Sequence, residues 1–512
     1  MMTIRYGAAA ASAAAVCACF CTISCLVGGA SAFALSGTAH HVPSSLLIPS
    51  PSSSSALAAA ASSKQIEDDR TNNHGEDIAS STSRRELFAN AFAATSALSF
   101  LAIDASSPRS AHAADDTSTP ASSSSSISSP PPPIRLSASW SATSGLNALD
   151  PSDPNFVSFD ASAYAAMKND VTRTPLFRKA LQDRLNAAKG GPESQVVLDL
   201  GTGPFALFAI MAAELGAGRV YAIEANPEIA RNARRVIAEQ GFDEIITVLE
   251  GFSTDISLPD NAKADIIVAE IIGSIATEEG AYATILDAHK RLMKDPTDAN
   301  NWIPSRIQTW AAPASYTLHN LFTPPEFDWT KIAAEPVRFS CRDYALGLLD
   351  DPQCVEDIRF ADIDKLTKAS GNGGGGGGGA MKKQLSYVAN GDRIRDNEAT
   401  FVEEYRKGGL PKNQVAELAP RAAHSCTGLA LWPRLMLPGS DDAEEYVINS
   451  RGHPDGGQRR SHWQTVLPIM GPEPAADIRG GDRIEVTCEF EAPVGVTKAP
   501  RYSVVADVYA SG

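Results

Sequence analysis

The chain has 512 residues, which leaves room for one or two folded domains plus extensions. Its formal net charge is −16; residues 1–113 carry 6 basic and 7 acidic side chains, so −15 belongs to the rest. That acidic body argues against loose attachment to nucleic acid; it suits basic partners or simply solubilises the surface.

The N-terminal third reads as an address. Arg5 precedes a small-residue apolar run from Ala8 to Val27, and G-G-A-S-A-F follows (Gly28 to Phe33), a signal-peptide layout with cleavage after Ala32. The A-S-A-F join is similar to the bipartite plastid-targeting presequence of algae with secondary plastids. Farther on, S-R-R-E-L-F (Ser83 to Phe88), an apolar run to Ile103 and A-H-A (Ala111 to Ala113) resemble a twin-arginine signal; a chance Arg-Arg pair is the other reading. The run is too short and too rich in Ala and Ser for a membrane span, so none is expected in the mature chain. Residues 1–113 are therefore expected to be a targeting presequence for a plastid, with the thylakoid lumen as destination if the second signal operates. Residues 114–148, with poly-Ser and Pro130 to Pro133, are expected to be a disordered linker, and folding is expected to begin near Leu149.

Y-A-A-M-K-N-D-V-T-R-T-P-L-F (Tyr164 to Phe177) reads as a helix ended by Thr174-Pro175. Spacings of three put Met167, Asp170 and Arg173 along one side of it. Four short runs rich in Val and Ile then follow at 196–200, 219–223, 245–249 and 265–269, separated by helix-length segments. That is the pattern of buried parallel strands in a βαβ sheet, whose ligands sit beyond the strands' carboxyl ends. After the first strand stand Gly201 and Gly203, with Pro204 placed to open the next helix. Glu224 ends the second strand 23 residues after Gly201, where an acid can hold both hydroxyls of a ribose or simply be solvated. G-T-G-P-F-A also fits a dinucleotide loop. Asp199 two residues ahead, and the lack of any phosphate-binding group, tilt the reading toward S-adenosylmethionine.

Glu270 ends the fourth strand, and Glu279 lies nine residues on, across a turn with Gly273-Ser274. Two carboxylates flanking such a loop match the flat, five-donor fork of a guanidinium. Alternatively, Glu278-Glu279 begins a helix, where acids favour the dipole. Beyond a fifth strand (Trp302 to Trp310) helical periodicity fades. Alternating runs at 427–437, 483–490 and 501–509 read as antiparallel strands, with His462-Trp463 on a loop between two of them and a flexible insertion at Gly371 to Gly379. Eight cysteines are present, four at 17–25 and the others at 341, 354, 426 and 488; their spacing fits neither a metal site nor a disulfide framework.

These motifs together resemble the protein arginine N-methyltransferases over roughly Tyr164 to Leu467. V-L-D-L-G-T-G looks like their cofactor loop, Y-A-x-M-x-x-D-x-x-R their N-terminal helix, A-E-I-I-G-S…E their double-glutamate loop, and S-H-W (Ser461 to Trp463) their Thr-His-Trp loop. The resemblance implies a Rossmann-like methyltransferase domain, expected at 149–310, followed by an antiparallel β-barrel domain at 311–512. It implies S-adenosylmethionine as cofactor and a basic, arginine-containing protein as substrate. Carried over by position, Arg173 would bind the cofactor carboxylate, Glu224 the ribose, and Ser253 and Thr254 the adenine. Glu270 and Glu279 would hold the substrate guanidinium, with Trp463 and Met167 lining its pocket and His462 paired with Asp170 to relay a proton. A homodimer is also implied, with its arm between about 320 and 420, where the sequence identifies none. Three departures stand out: Phe205 replaces the third loop glycine, Ser461 the Thr, and Ala281 a Met of asymmetric dimethylating members. Two alternatives stay open, a methyltransferase for another nucleophile and a silent relative that binds Arg-rich partners.

Overall fold

The computed structural model describes residues 132–142, 161–325, 327–329, 335–340, 343–369, 379–439, 445–451, 461–495 and 499–511. The presequence and nearly all of the Gly-rich insertion lie outside them. The first described segment corrects the expected linker. Ile134–Ser141 is a strand, β1, paired antiparallel along its whole length with the last strand of the chain. Its side chains alternate out and in, with Leu136 and Trp140 buried. Ser/Pro-rich flanks hid this eight-residue pattern.

Five parallel strands follow: β2 (Val196–Leu200), β3 (Arg219–Glu224), β4 (Ile246–Glu250), β5 (Ile266–Ala269) and β6 (Trp302–Ile303). They lie in the order β4-β3-β2-β5-β6, which reverses direction at β2. Ligands of open α/β sheets sit at such a reversal. The fifth strand is shorter than expected. After Ile303 the chain leaves this sheet, and Arg306–Tyr316 (β7) belongs to the antiparallel half.

The helix expected across Tyr164–Thr174 is two. Helix α1 (Ala161–Lys168) stops, the chain turns at Asp170, and α2 (Arg173–Asn186) begins. Pro175 sits in the first turn of α2, where its missing N–H costs nothing, so it opens a helix and does not close one. Asp170 Oδ1 accepts the amides of Thr172 and Arg173 at 2.8 Å each, supplying the acceptor this helix start lacks. Phe177, Ala180, Leu181 and Leu185 then form the buried stripe. Pro204 is likewise not where a helix starts. Helix α3 (Leu207–Glu214) begins after Ala206, whose φ is +44°, and Asp199 Oδ2 accepts the Ala209 amide at 3.0 Å. Two further helices complete this half, α4 (Pro227–Glu239), capped by Asn226, and α5 (Ala281–Arg291).

The other half is two antiparallel sheets. The seven-stranded sheet holds β7, β8 (Val337–Ser340), β9 (Leu346–Leu348), β10 (Gln353–Arg359), β12 (Gly428–Pro438), β13 (Glu445–Asn449) and β14 (Gln464–Leu467). Four strands, β1, β11 (Gly379–Val388), β15 (Arg483–Ala492) and β16 (Arg501–Tyr509), make the other, in the order β1-β16-β15-β11. Strict alternation in β15 and β16 sends Ile484, Val486, Phe490, Tyr502 and Val504 into a core shared with Leu429, Leu431 and Val466 of the larger sheet. This is the β-barrel half, and it draws its first strand from before the Rossmann-like half. It also contains helices in the stretch expected to lack helical periodicity, among them Gly391–Lys407 and Lys412–Ala423; the former buries Ile394, Phe401 and Tyr405 on one face. Among the described residues no helix is long and apolar enough to cross a membrane.

Candidate active site

Gly201 (φ +74°) and Gly203 (φ +65°) turn the chain sharply after β2, and Gly201 is exposed. A Cβ on Gly201 would stand 2.8 Å from Ile271 Cγ2, so the glycine loop abuts the residue following Glu270. Glu224 is buried against the same loop. Its Oε2 accepts the Gly203 amide at 3.0 Å and its Oε1 the Asn226 amide at 2.9 Å, while burial raises its pKa. Beneath lies Asp199, buried and pushed up to about 7, chiefly by burial and further by the charges of Glu224 and Glu270. Its Oδ2 takes the Thr202 hydroxyl at 2.6 Å, whereas Oδ1 is buried with no partner. Ser253 and Thr254 follow β4, half-buried, and Arg291 fixes both by donating to their carbonyls at 2.8 and 3.1 Å.

Phe205 does not stand alone in the loop. Its ring lies under Lys168 Nζ, 4.8 Å from the centroid, on the side of α1. Tyr164 of the same helix sits within 3.6 Å of where a Gly203 Cβ would be. Helix α1 thus covers the glycine loop.

Arg173 is buried and pairs closely with Glu270. Its Nη2 donates to the Met167 carbonyl at 2.7 Å, and its Nε is buried without a partner. Met167, expected to line a substrate pocket, contributes its backbone carbonyl to this network. The expected single helix face is replaced by the turn between two helices, which brings Met167, Asp170 and Arg173 together all the same.

Asp170 also reaches the far end of the chain. Its Oδ2 accepts both the backbone amide and Nδ1 of His462, each at 3.0 Å. Burial alone would raise its carboxyl, but these donors prevail and hold it at about 2. The His462 ring lies 4.0 Å from that of Trp463, centroid to centroid. Trp463, expected to line the substrate pocket, is 3 % exposed and donates its indole N–H to the Ile272 carbonyl at 2.7 Å, so it braces the acidic loop. Ser461, which replaces the Thr, accepts the Trp463 amide on its hydroxyl at 3.2 Å. Ala281 is fully buried at the start of α5.

Glu270 and Glu279 bracket a turn at the carboxyl end of β5, and neither belongs to α5, which starts at Ala281. Both are half-buried. Glu279 is pushed up to about 8 by burial, then by the nearby charges of Glu270 and Glu278, with Arg338 opposing. Several residues the sequence did not single out hold this loop. Thr309 Oγ1 accepts the Ala276 amide at 2.9 Å; Glu356 accepts the hydroxyls of Thr277 and Thr309 at 2.7 and 2.6 Å; and Arg338 pairs with Glu278. Glu356 is 1 % exposed and pushed up to about 7 by burial. A lone Glu in Q-C-V-E-D-I-R carries no local signal of that role. Among the described residues no group of three or more His, Cys, Asp or Glu could hold a metal ion.

The cofactor half carries a methyltransferase signature: residues 178–283 match the family described as ribosomal protein L11 methyltransferase (PrmA). The chain is also similar, over about a third of its length, to arginine methyltransferases. The chain is 33 % identical over 172 residues to protein arginine N-methyltransferase PRMT10 of Arabidopsis thaliana, covering 33 % of this chain and 43 % of that protein. It is 33 % identical over 162 residues to arginine N(omega)-methyltransferase of Streptomyces achromogenes subsp. streptozoticus, covering 29 % and 43 %. Protein arginine N-methyltransferase 7 of Gallus gallus matches at 33 % over 153 residues, 29 % of this chain and 22 % of that one. The chain thus spans less than half the length of these curated relatives. Among solved structures, Arabidopsis thaliana protein arginine methyltransferase 10 aligns with a TM-score of 0.44 and 16 % identity, over 65 % of this chain and 97 % of that one.

Proposed function

We propose that this protein is an S-adenosylmethionine-dependent methyltransferase acting on the guanidinium of arginine in a basic protein substrate. One observation carries the reading: the loop bearing Glu270 and Glu279 lies against Gly201, so a two-carboxylate grip adjoins the loop of a nucleoside cofactor. The names of the relatives support it. The residues suit this cofactor: an exposed glycine turn, a buried acid in Glu224 for the ribose, and in Arg173 a guanidinium with an unpartnered Nε for a carboxylate.

S-adenosylmethionine, when bound, supplies an electrophilic methyl group on a sulfonium. The protein's part is positioning and charge. A free arginine side chain has a pKa above about 12, so its nitrogens are poor nucleophiles at neutral pH. Glu270 and Glu279 hold the guanidinium and draw its positive charge toward the nitrogens they touch. The lone pair of the remaining terminal nitrogen becomes more available. His462, oriented through Nδ1 by Asp170, presents Nε2 to take the proton that this nitrogen loses. Glu279 must be ionised to act, and an arriving guanidinium lowers its pKa.

The substrate is a basic protein, matched by an acidic body, and a homodimer remains part of the proposal. The N-terminal segments support a plastid location, with a lumenal destination tested by a fluorescent fusion against an Arg84→Lys/Arg85→Lys version. The activity itself is tested by mass spectrometry of an Arg-rich peptide, and of free arginine, incubated with the full chain and isotopically labelled cofactor. Label on arginine nitrogen is expected. Label on another nucleophile, or binding of the peptide without label, would replace this reading with one of the two alternatives.

A further inference from the structure

Glu278 is the acid of the loop that neither cofactor nor substrate explains. It is 1 % exposed and folds back beneath its own loop: its Cβ comes within 2.6 Å of where a Gly273 Cβ would stand, so only glycine fits at 273. There it meets Arg338 of β8, which pairs with β14 in the barrel half. Arg338 Nη1 donates to Glu278 Oε2 at 3.2 Å, and Nη2 pairs closely with Oε1, a two-point contact. Three successive loop residues are thereby held by three barrel strands: Ala276 by Thr309 of β7, Thr277 by Glu356 of β10, and Glu278 by Arg338 of β8. Glu279 comes next.

We propose that Arg338 is a positioning residue for guanidinium capture: by engaging Glu278 at two points it takes that carboxylate out of competition and leaves Glu270 and Glu279 to share the substrate's charge. The inference deepens the arginine-methyltransferase reading and rests on it. Physically, three carboxylates crowd one partly buried loop. Without a cation on Glu278, its negative charge would stand unopposed beside Glu279 and favour a proton there over a guanidinium. The charged and titratable groups facing the pair are Glu279 and Glu270 from the loop, Glu335 ahead of β8, and Tyr502 from β16. Glu356 lies beneath Thr277, and Arg173 sits on Glu270. Within this set of charges, the cation of the pair itself, Arg338, opposes protonation of Glu279. Its removal therefore moves the ionisation that activity requires to higher pH.

The test uses the full chain and the variants Arg338→Met, Arg338→Lys and Glu278→Gln/Arg338→Met. Steady-state kinetics with an Arg-rich peptide across pH are paired with calorimetric binding of that peptide in the presence of S-adenosylhomocysteine. The melting shift given by S-adenosylhomocysteine reports whether each variant keeps its cofactor side. Arg338→Met is expected to raise KM and peptide Kd about tenfold at neutral pH, leave kcat and the melting shift nearly unchanged, and displace the ascending pH limb upward. Arg338→Lys is expected to recover part of the loss, and the double variant, which removes both charges, to return within about threefold of wild type. Wild-type KM and pH limb in Arg338→Met would overturn the inference. So would a double variant that keeps its melting shift yet stays as impaired as the single one. Should the single variant not fold, the double variant alone decides. Failure of the wild type to methylate any arginine compound sinks the activity instead, and the calorimetric arm still reports on Arg338.

Discussion

Arg173 and Glu270, 97 residues apart in sequence, form a buried ion pair that joins the start of α2 to the acidic loop after β5. The roles proposed for them differ: Arg173 for a cofactor carboxylate, Glu270 for a substrate guanidinium. A carboxylate arriving at Arg173 competes with Glu270 and frees it for the second ligand. Arginine-peptide affinity is therefore expected to rise when S-adenosylhomocysteine is present, as titration calorimetry can show. Glu270→Gln is expected to lower kcat/KM by about 10²–10³-fold while cofactor binding persists. Arg173→Ala, which strands a partly buried carboxylate, is expected to cost about 3–5 kcal/mol of stability as well as cofactor binding. Cofactor affinity unchanged in Arg173→Ala would refute the assignment.

The two loop glycines should respond differently to alanine. Both have positive φ, so each substitution costs about 1–2 kcal/mol in backbone strain. Only at Gly201 does the new methyl press on Ile271, at 2.8 Å; at Gly203 it meets the Tyr164 ring at an ordinary 3.6 Å. Gly201→Ala is thus expected to impair both cofactor affinity and turnover, because Ile271 adjoins Glu270. Gly203→Ala is expected to act on affinity alone. Equal kcat losses in the two variants would contradict this.

Buried acids make stability depend on pH in a defined sense. Asp199 and Glu356 lie near 7 and Glu279 near 8, above their unfolded values of 3.8–4.5. Raised carboxyls favour the fold fully below the unfolded values, and that contribution is lost as pH rises through 7–8. Asp170 runs the other way. Held at about 2 against 3.8, it stabilises above the unfolded value and is lost as pH falls toward 2. Thermal melts without ligand are expected to peak at about pH 4 and to decline from there toward 8. Glu356→Gln, which keeps an acceptor for a threonine hydroxyl and carries no charge, should flatten the alkaline decline; a decline unchanged in that variant would count against it.

A chain begun at Leu149 should be much less stable than one begun at residue 132. The shorter version loses the eight-residue pairing of β1 with β16, the two-point contact of Arg135 with Asp507, and the Trp140–Tyr502 stack. Trp140→Ala in the longer version isolates one part of that loss, expected at about 3–5 kcal/mol. Equal melting temperatures for the two lengths would show β1 to be dispensable.

The parallel strands, the glycine turn, the nine-residue interval between Glu270 and Glu279, and the alternation of β15 and β16 were all legible in the chain. Each is a local pattern: period two in a strand, a backbone only glycine adopts readily, a fixed reach across one loop. Pro175 and Pro204 were legible but misleading. A proline suits the first turn of a helix as well as its end, and acceptors at Asp170 and Asp199 decided where α2 and α3 begin.

What tertiary structure alone decided is how the buried charges are satisfied. Glu278 finds Arg338 60 residues away, Thr277 finds Glu356 79 away, and Arg135 meets Asp507 372 away. No short window encodes such pairs. An ion or hydroxyl removed from water needs a partner, and which partner arrives depends on how sheets and helices pack once the core has formed. Amino-acid order determined the two halves and the acids at their junction; folding in three dimensions chose which acids are neutralised and which are left to bind.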